Sequence, residues 1–274
     1  MSAGDGLGAA RVNAALVGTR FAGKVRHFGS VGSTNSLLLE EAAAGAAEGS
    51  VIVADEQTAG RGRGGHGWHS AAGDGLYVSL LARPKVPLQE ALLLSLATGL
   101  AAWQAVHEVC GVEVDVRWPN DLMVVGRDET TRKCGGILVE TAVEPGPGSL
   151  LRYAVIGIGI NVGHREFPEE LGRIATSLAI ESELPVSREA LLISLLRAMD
   201  LELKAFEPGE GEREALLARF AERSSWVRGK RVHVPEQGGY TGVTAGLDAQ
   251  GFLRVMGDDG VMRTVLSGGV REID

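Results

Sequence analysis

The sequence predicts an α+β protein, a mixed sheet packed by helices and followed by a small β-barrel. Three observations point there. Short apolar runs of strand length recur through the first two thirds of the chain, interrupted by only a few helical stretches. One of those stretches, Leu88 to Val109, is apolar around nearly its whole circumference, as a central buried helix is. From Gly229 onward the pattern changes to brief β-rich runs separated by Gly and Asp turns.

The first 25 residues are rich in Gly and Ala with little to bury, which predicts a loosely packed arm. Asn35 to Ala47 reads as a helix, and Ser33, Thr34 and Asn35 all suit its N-cap. Ser50 to Ala54 is a buried strand, and Leu76 to Ala82 is another; a Gly-rich loop from Ala59 to Gly75 joins them. Beyond the long apolar helix, Val112 to Trp118 alternates at period two and reads as a half-buried strand. Asp121 to Val125, Gly136 to Val143 and Leu151 to Ile160 follow as strands. Ser187 to Phe206 and Glu212 to Arg223 are amphipathic helices. The runs RVHV, YTGVTAGL, FLRVM and VMRTVL make up the final module. The reading is one domain over 1–225 and a second over 226–274. About 45 residues fall below the usual size of an independent domain, so the module is expected to pack against the larger one.

The 274 residues carry 27 Lys plus Arg and 35 Asp plus Glu, a net charge of −8, with 45% hydrophobic residues. That apolar share excludes an intrinsically disordered chain. The acidic balance argues against a protein that coats nucleic acid, while leaving room for a local basic patch. Cys110 and Cys134 are too few for a disulfide framework and fit a reducing compartment. No run approaches the roughly 18 uninterrupted apolar residues of a membrane span, and no secretory leader opens the chain. The cytoplasm is the expected location, with no membrane partner.

The chemistry concentrates in four segments. Gly60 to Trp68, GRGRGGHGW, spaces Arg61, Arg63, His66 and Trp68 with five glycines. Glycine permits close backbone approach, arginine offers a planar fork for carboxylate or phosphate, and tryptophan offers a face for a base. Together they suit a loop that closes over an anionic, nucleotide-containing ligand. A solvated RGG-like tail is the alternative; the flanking strands count against it. Arg117 to Asp121, RWPND, sets Asn120 and Asp121 on a rigid corner, where they suit Mg²⁺ or a ribose hydroxyl. Taken alone, a turn that starts a strand is the better account of it. Lys133 precedes Gly135 and Gly136, within reach of a phosphate or merely exposed at a hairpin end. Ser33, Thr34, Asn35 and Gln57 suit a polar head group, or a simple helix cap.

In combination these motifs are specific. GSTN, DEQTAGRGRGGHGW, RWPNDLMV, KCGGILVE and GIGINV, in this order from about Val31 onward, resemble the biotin–protein ligases. The resemblance implies a class II synthetase-like catalytic domain followed by an SH3-like β-barrel. It also implies a reaction in two halves. Biotin's carboxylate attacks the α-phosphate of ATP to give biotinyl-5′-AMP and pyrophosphate. A lysine of a biotin carboxyl carrier domain, that of acetyl-CoA carboxylase, then takes the biotinyl group. Carried over residue by residue, it assigns biotin to Ser33, Thr34, Asn35, Gln57, Gly60, Arg61, Gly62, Arg63, Lys133, Gly135 and Gly136. The catalytic cations are Lys133, Arg63 and Arg61. Trp68, Asn120, Asn161 and Lys133 take the nucleotide, and Asp121 is the candidate Mg²⁺ ligand. Gly64 and His66 stand where the family commonly has further arginines, and Cys134 replaces a small or aliphatic residue. Some 30 residues before GSTN are too few for the DNA-binding winged helix of bifunctional members, so no DNA binding is expected. Members form monomers or dimers through the catalytic sheet edge, and a homodimer is the expectation here. The rival from a related architecture is a lipoate–protein ligase or octanoyltransferase. A rival from another class is an RNA-binding protein using the Arg/Gly loop, which the acidic balance disfavours.

Overall fold

The computed structural model describes residues 7–146, 150–207, 212–266 and 268–273. A seven-stranded mixed sheet forms its centre. Helix α1 (Ala9–Ala15) precedes strand β1 (Val25–Val31), then come α2 (Thr34–Ala43), β2 (Val51–Gln57) and β3 (Gly75–Ala82). The long helix α3 (Ala91–Cys110) leads into β4 (Asp115–Arg117), β5 (Asp121–Val125), β6 (Thr131–Val143) and β7 (Leu151–Asn161). Helices α4 (Leu178–Glu181), α5 (Arg188–Glu202) and α6 (Glu212–Glu222) complete the larger part. The strand order is β1-β2-β3-β7-β6-β5-β4; β1 and β2 run parallel, every other neighbouring pair antiparallel.

Each face of the sheet is covered by the elements whose apolar residues demand it. The helix α3, predicted as central, is buried along its length and packs with α5 over one face. Its stretch is long and apolar enough to cross a membrane by length and composition, yet two thirds of it is buried inside the protein, as a core helix is. On the other face, α2 sets Leu38 and Ala42 against Ile52, Leu81, Tyr153 and Val155.

The C-terminal strands are β8 (Arg228–Val234), β9 (Tyr240–Leu247), β10 (Leu253–Gly257), β11 (Met262–Val265) and β12 (Arg271–Glu272). They form an antiparallel sheet in the order β11-β10-β9-β8-β12. Among the described residues β11 and β12 stand at its two edges and do not pair with each other, so hydrogen bonding makes it a five-stranded sheet and not a closed barrel. Its core residues Val232, Val234, Leu253 and Val255 join the same hydrophobic cluster as α3 and the large sheet. One turn reaches furthest: the Gly251 carbonyl accepts from Trp118 Nε1 at 2.9 Å. A side chain at Gly251 would press on Leu96 and Leu93 at 2.9 and 3.0 Å.

Several expectations need correction. Residues 7–25 are no loose arm: Leu7, Val12, Leu16 and Phe21 are buried, and Arg11 and Arg20 pair with Glu189 and Asp200 of α5. Those apolar residues lie four or five apart among Gly and Ala, which dilutes the helical signal. Residues 1–6 lie outside the described residues. The strand expected over 112–118 shrinks to three residues, because Val112 and Val114 bury their side chains without a ladder. Conversely, β6 begins at Thr131 and not at Gly136, taking Lys133 and Gly135 into the sheet. The short α4, capped by the Ser177 hydroxyl, has too few residues to carry a period.

Candidate active site

The site gathers at the N-terminus of α2, over a floor of glycines. Ser33 caps the helix, accepting from the Ser36 N–H. The Thr34 N–H and hydroxyl both donate to Gln57 Oε1, at 2.9 and 3.0 Å. Gln57 Nε2 donates on to Ser70 Oγ, whose hydroxyl reaches the Trp68 carbonyl at 3.2 Å. Asn35 Nδ2 donates to Glu140 Oε2 at 3.0 Å, and its Oδ1 lies 2.5 Å from the buried Ser79 hydroxyl. These buried polar groups are satisfied by one another, which fixes their directions.

Two glycines of β7 make room for this. A side chain at Gly157 would meet the Asn35 amide at 2.3 Å, and one at Gly159 would meet the Trp68 indole at 2.6 Å. Gly136, the cross-strand partner of Gly159, lies under the far edge of the same indole at 3.2 Å. The loop 60–68 folds back on itself: Gly62 N–H donates to the His66 carbonyl and Trp68 N–H to the Gly60 carbonyl. Gly64 and Gly65 take φ of 69° and 82°, the left-handed region that favours glycine.

Lys133 owes its position to a bulge. Leu122 pairs with Gly135 while Met123 pairs with Lys133, so Cys134 is the extra residue. Lys133 Nζ reaches Asp121 Oδ1 at 2.5 Å and stands 5.5 Å from the Trp68 ring. Arg61 meets Glu140 in an ion pair, and its Nη1 donates to Ser36 Oγ at 3.0 Å. Arg63 lies against Gly268 of the C-terminal module. Two of the three cations therefore rest on carboxylates of the protein itself.

The cavities divide into one inner and two outer chambers. The inner chamber, about 50 Å³, is lined by Thr34, Asn35, Gln57, Arg61, Asn120 and Gly157 among others. One outer chamber of about 420 Å³ runs past His69, Asn161 and Phe167. The other, about 610 Å³, runs past the loop to Trp226 and Gly269. Trp68 and Lys133 line all three. Behind the first outer chamber, His164 is buried and stacks on Phe167 at 4.9 Å, with no partner for either ring nitrogen. Burial pushes that imidazole's pKa below its ordinary value. Burial also pushes the Cys134 thiol up to about 12, so it stays protonated and inert beside the lysine.

The structure brings together most of the residues singled out in the sequence. Ser33, Thr34, Asn35, Gln57, Arg61, Gly62, Arg63 and Gly136 line the inner chamber, and Asn161 an outer one. Two do not line any chamber. Gly135 faces Leu122 and the Gly159 carbonyl within the sheet, and Gly60 sits at the loop neck against Ser70 and the Trp68 carbonyl. The Asn120 amide lines the inner chamber but is spent on the Ile137 carbonyl at 3.0 Å. Asn161 likewise donates to the Thr176 carbonyl. Sequence reasoning missed Ser70, Ser79, Glu140, Gly157 and Gly159. The Gly-x-Gly spacing on one face of β7 was the available signal for the last two. It also missed that the Trp118–Pro119 peptide is cis.

Fold and site define a protein with a small polar chamber opening past one lysine and one tryptophan onto a larger cleft lined by Arg63, Arg117 and Lys133. Comparison with known proteins narrows that class. The profile of the biotin/lipoate A/B protein ligase family matches residues 28–161, and that of the biotin protein ligase C-terminal domain matches residues 228–270. The Mycobacterium tuberculosis "Biotin--[acetyl-CoA-carboxylase] ligase" is 36% identical over 245 residues, covering 87% of this chain and 84% of that protein. The Bacillus subtilis "Bifunctional ligase/repressor BirA" is 40% identical over 166 residues, 60% of this chain. The chain spans about half, 49%, of the length of the Bacillus relatives it matches. Among solved structures, "Biotin protein ligase from Aquifex aeolicus in complex with biotin and ATP" aligns with TM-score 0.74 at 30% identity, covering 92% of this chain and all of that one. The chain belongs to the biotin/lipoate A/B protein ligase family and carries the C-terminal domain of its biotin protein ligases.

Proposed function

We propose that the protein is a biotin–protein ligase. It activates biotin with ATP to biotinyl-5′-AMP and pyrophosphate, then transfers biotin to a lysine of the biotin carboxyl carrier domain of acetyl-CoA carboxylase. The observation that carries the reading is the place of Lys133. It lines the inner and both outer chambers, so an acid lying inside and a nucleotide lying outside would meet at its ammonium. The names of the Mycobacterium and Aquifex relatives favour biotin over lipoate or an octanoyl group.

The proposed chemistry follows from charge. A carboxylate attacking a triphosphate brings anion to anion, and cations must stand where charge develops. Lys133 would hold both reactants at the α-phosphate. Arg61 and Arg63 would close over them, Arg61 exchanging Glu140 for a ligand oxygen. Thr34, Asn35 and Gln57 present the polar ring that orients the acid's head group. Trp68, lying over Gly159 and Gly136, offers its outer face to the base. Closure of the loop keeps water from the adenylate until the carrier lysine arrives.

Among the described residues no three metal-binding side chains converge. Mg²⁺ commonly keeps several waters and binds through one or two carboxylates plus substrate phosphates. Asp121 fits that use, once Lys133 turns from it to the nucleotide. The ion supplies neutralisation of the phosphate charge. The protein is read as cytoplasmic, with its thiols reduced and buried, without DNA or membrane partners, and as a homodimer formed through an edge of the catalytic sheet.

Biotin-dependent exchange of pyrophosphate into ATP tests the reading. Exchange with biotin and none with lipoate is expected. Exchange with lipoate alone would move the protein to the rival lipoate branch.

A further inference from the structure

Arg117, the residue before the Trp-Pro-Asn-Asp corner, belongs to none of the ion pairs just described, yet it faces the same cleft. Arg117 and Lys133 are the cations common to the linings of both outer chambers. Its guanidinium lies 3.9 Å from the ring of Trp226, which holds its plane. The side chain is only 26% exposed.

Its charge is incompletely compensated. Glu272 approaches Arg117 Nη2 only to 3.6 Å, and the same carboxylate is held by Lys230 at 2.8 Å. Asp115 is committed to the Ser225 N–H and hydroxyl, and Asp121 to Lys133. Arg117 Nε is buried with no hydrogen-bond partner. A half-buried, under-paired guanidinium with a fixed plane is the geometry that takes two phosphate oxygens at once.

We propose that Arg117 binds the terminal phosphates of the nucleotide, the pair that leaves as pyrophosphate, and that Trp226 aims it there. The inference rests on the adenylating reading above. In that reaction the acid's oxygen bonds to the α-phosphorus as the bond from that phosphorus to the α,β-bridging oxygen breaks. The electron pair stays on that oxygen, so negative charge grows on the departing pyrophosphate. Lys133 serves the centre of the reaction and Arg117 its far end. The C-terminal segment thus takes part in the site, because Trp226 and Glu272 set the direction and the strength of Arg117.

The test is calorimetric titration of inorganic pyrophosphate with Mg²⁺ into wild type, Arg117→Gln, Arg117→Lys and Glu272→Gln, with ATP–pyrophosphate exchange run beside it. Loss of one charge-assisted contact predicts pyrophosphate binding weakened about ten- to a hundredfold in Arg117→Gln. Biotin affinity should hold, KM for ATP should rise and Arg117→Lys should fall between. Glu272→Gln, at an exposed strand end, should bind pyrophosphate several-fold more tightly, and it tests the assignment even if Arg117→Gln fails to fold. Pyrophosphate affinity unchanged in Arg117→Gln, biotin affinity lost in parallel, or no pyrophosphate bound by wild type would overturn the assignment. Arg117-dependent pyrophosphate binding without any biotin-dependent exchange would uphold it and overturn the adenylating reading instead.

Discussion

The inner and outer chambers are built on opposite terms. Inside, Thr34, Gln57, Ser70, Ser79 and Asn35 satisfy one another before any ligand arrives. Outside, Arg117 Nε, on the wall shared by both wide chambers, is buried without a partner. The inner chamber is small and finished; the outer ones are wide and unfinished. A preorganised chamber selects shape, while an unfinished one gains most from a ligand that supplies the missing acceptors. The ion pairs Arg61–Glu140 and Lys133–Asp121 stand at the border, where protein carboxylates hold cations that the reactants will claim.

The comparison is sharpened most by removing the residue that both sides share. Lys133→Ala should lower adenylate formation on the order of a hundred- to a thousandfold, measured by single-turnover release of pyrophosphate. A smaller loss would mean the two chambers do not meet at this lysine.

Next come the glycines. Gly159→Ala drives a methyl into Trp68, the wall common to all chambers, and should weaken biotin and ATP together by about tenfold or more. Gly157→Ala strikes Asn35 alone and should weaken biotin while sparing ATP. Calorimetry with each ligand separates the two, and equal losses in both variants would dissolve the division.

Glu140→Gln removes the carboxylate that holds Arg61. Biotin affinity should rise by a factor of about three, within the range of a partly exposed ion pair. Weaker binding would show that Glu140 orients Asn35 more than it restrains the arginine.

The smallest effect concerns pH. His164 in the fold favours the neutral ring, so the unfolded chain takes up a proton first as acidity rises. Its share of stability is whole above about pH 6.5, the ordinary histidine value, and declines as pH falls through that value. His164→Phe should therefore flatten the urea midpoint between pH 7 and 5. An unchanged slope would assign the acid sensitivity elsewhere.

The loop arginines, the Trp-Pro-Asn-Asp corner, Lys133 and the polar start of α2 were all legible in the sequence because each is a local cluster of unusual composition. Their partners were not. Ser79 sits in an apolar strand run and reads as filler until α2 lays Asn35, 44 residues earlier, against it. Glu140 looks like the polar end of a strand, and only the cross-sheet packing turns it toward Arg61. The burial of residues 7–25 was hidden for a related reason: four apolar side chains spread over fifteen positions have no period until α5 gives them a common surface. The place of Lys133 depended on a one-residue bulge, which no composition announces.

The turn at Gly251 has a further consequence for how this protein can be recombined. Its carbonyl ties down the indole of the residue preceding the cis proline, and its bare α-carbon fits where Leu93 and Leu96 crowd. The final 50 or so residues are therefore not an interchangeable cassette, despite their compact length. A chimera that borrows them from a relative must borrow Leu93, Leu96 and Trp118 as well, and a truncation that ends at α6 leaves the corner bearing Asn120 and Asp121 without its brace.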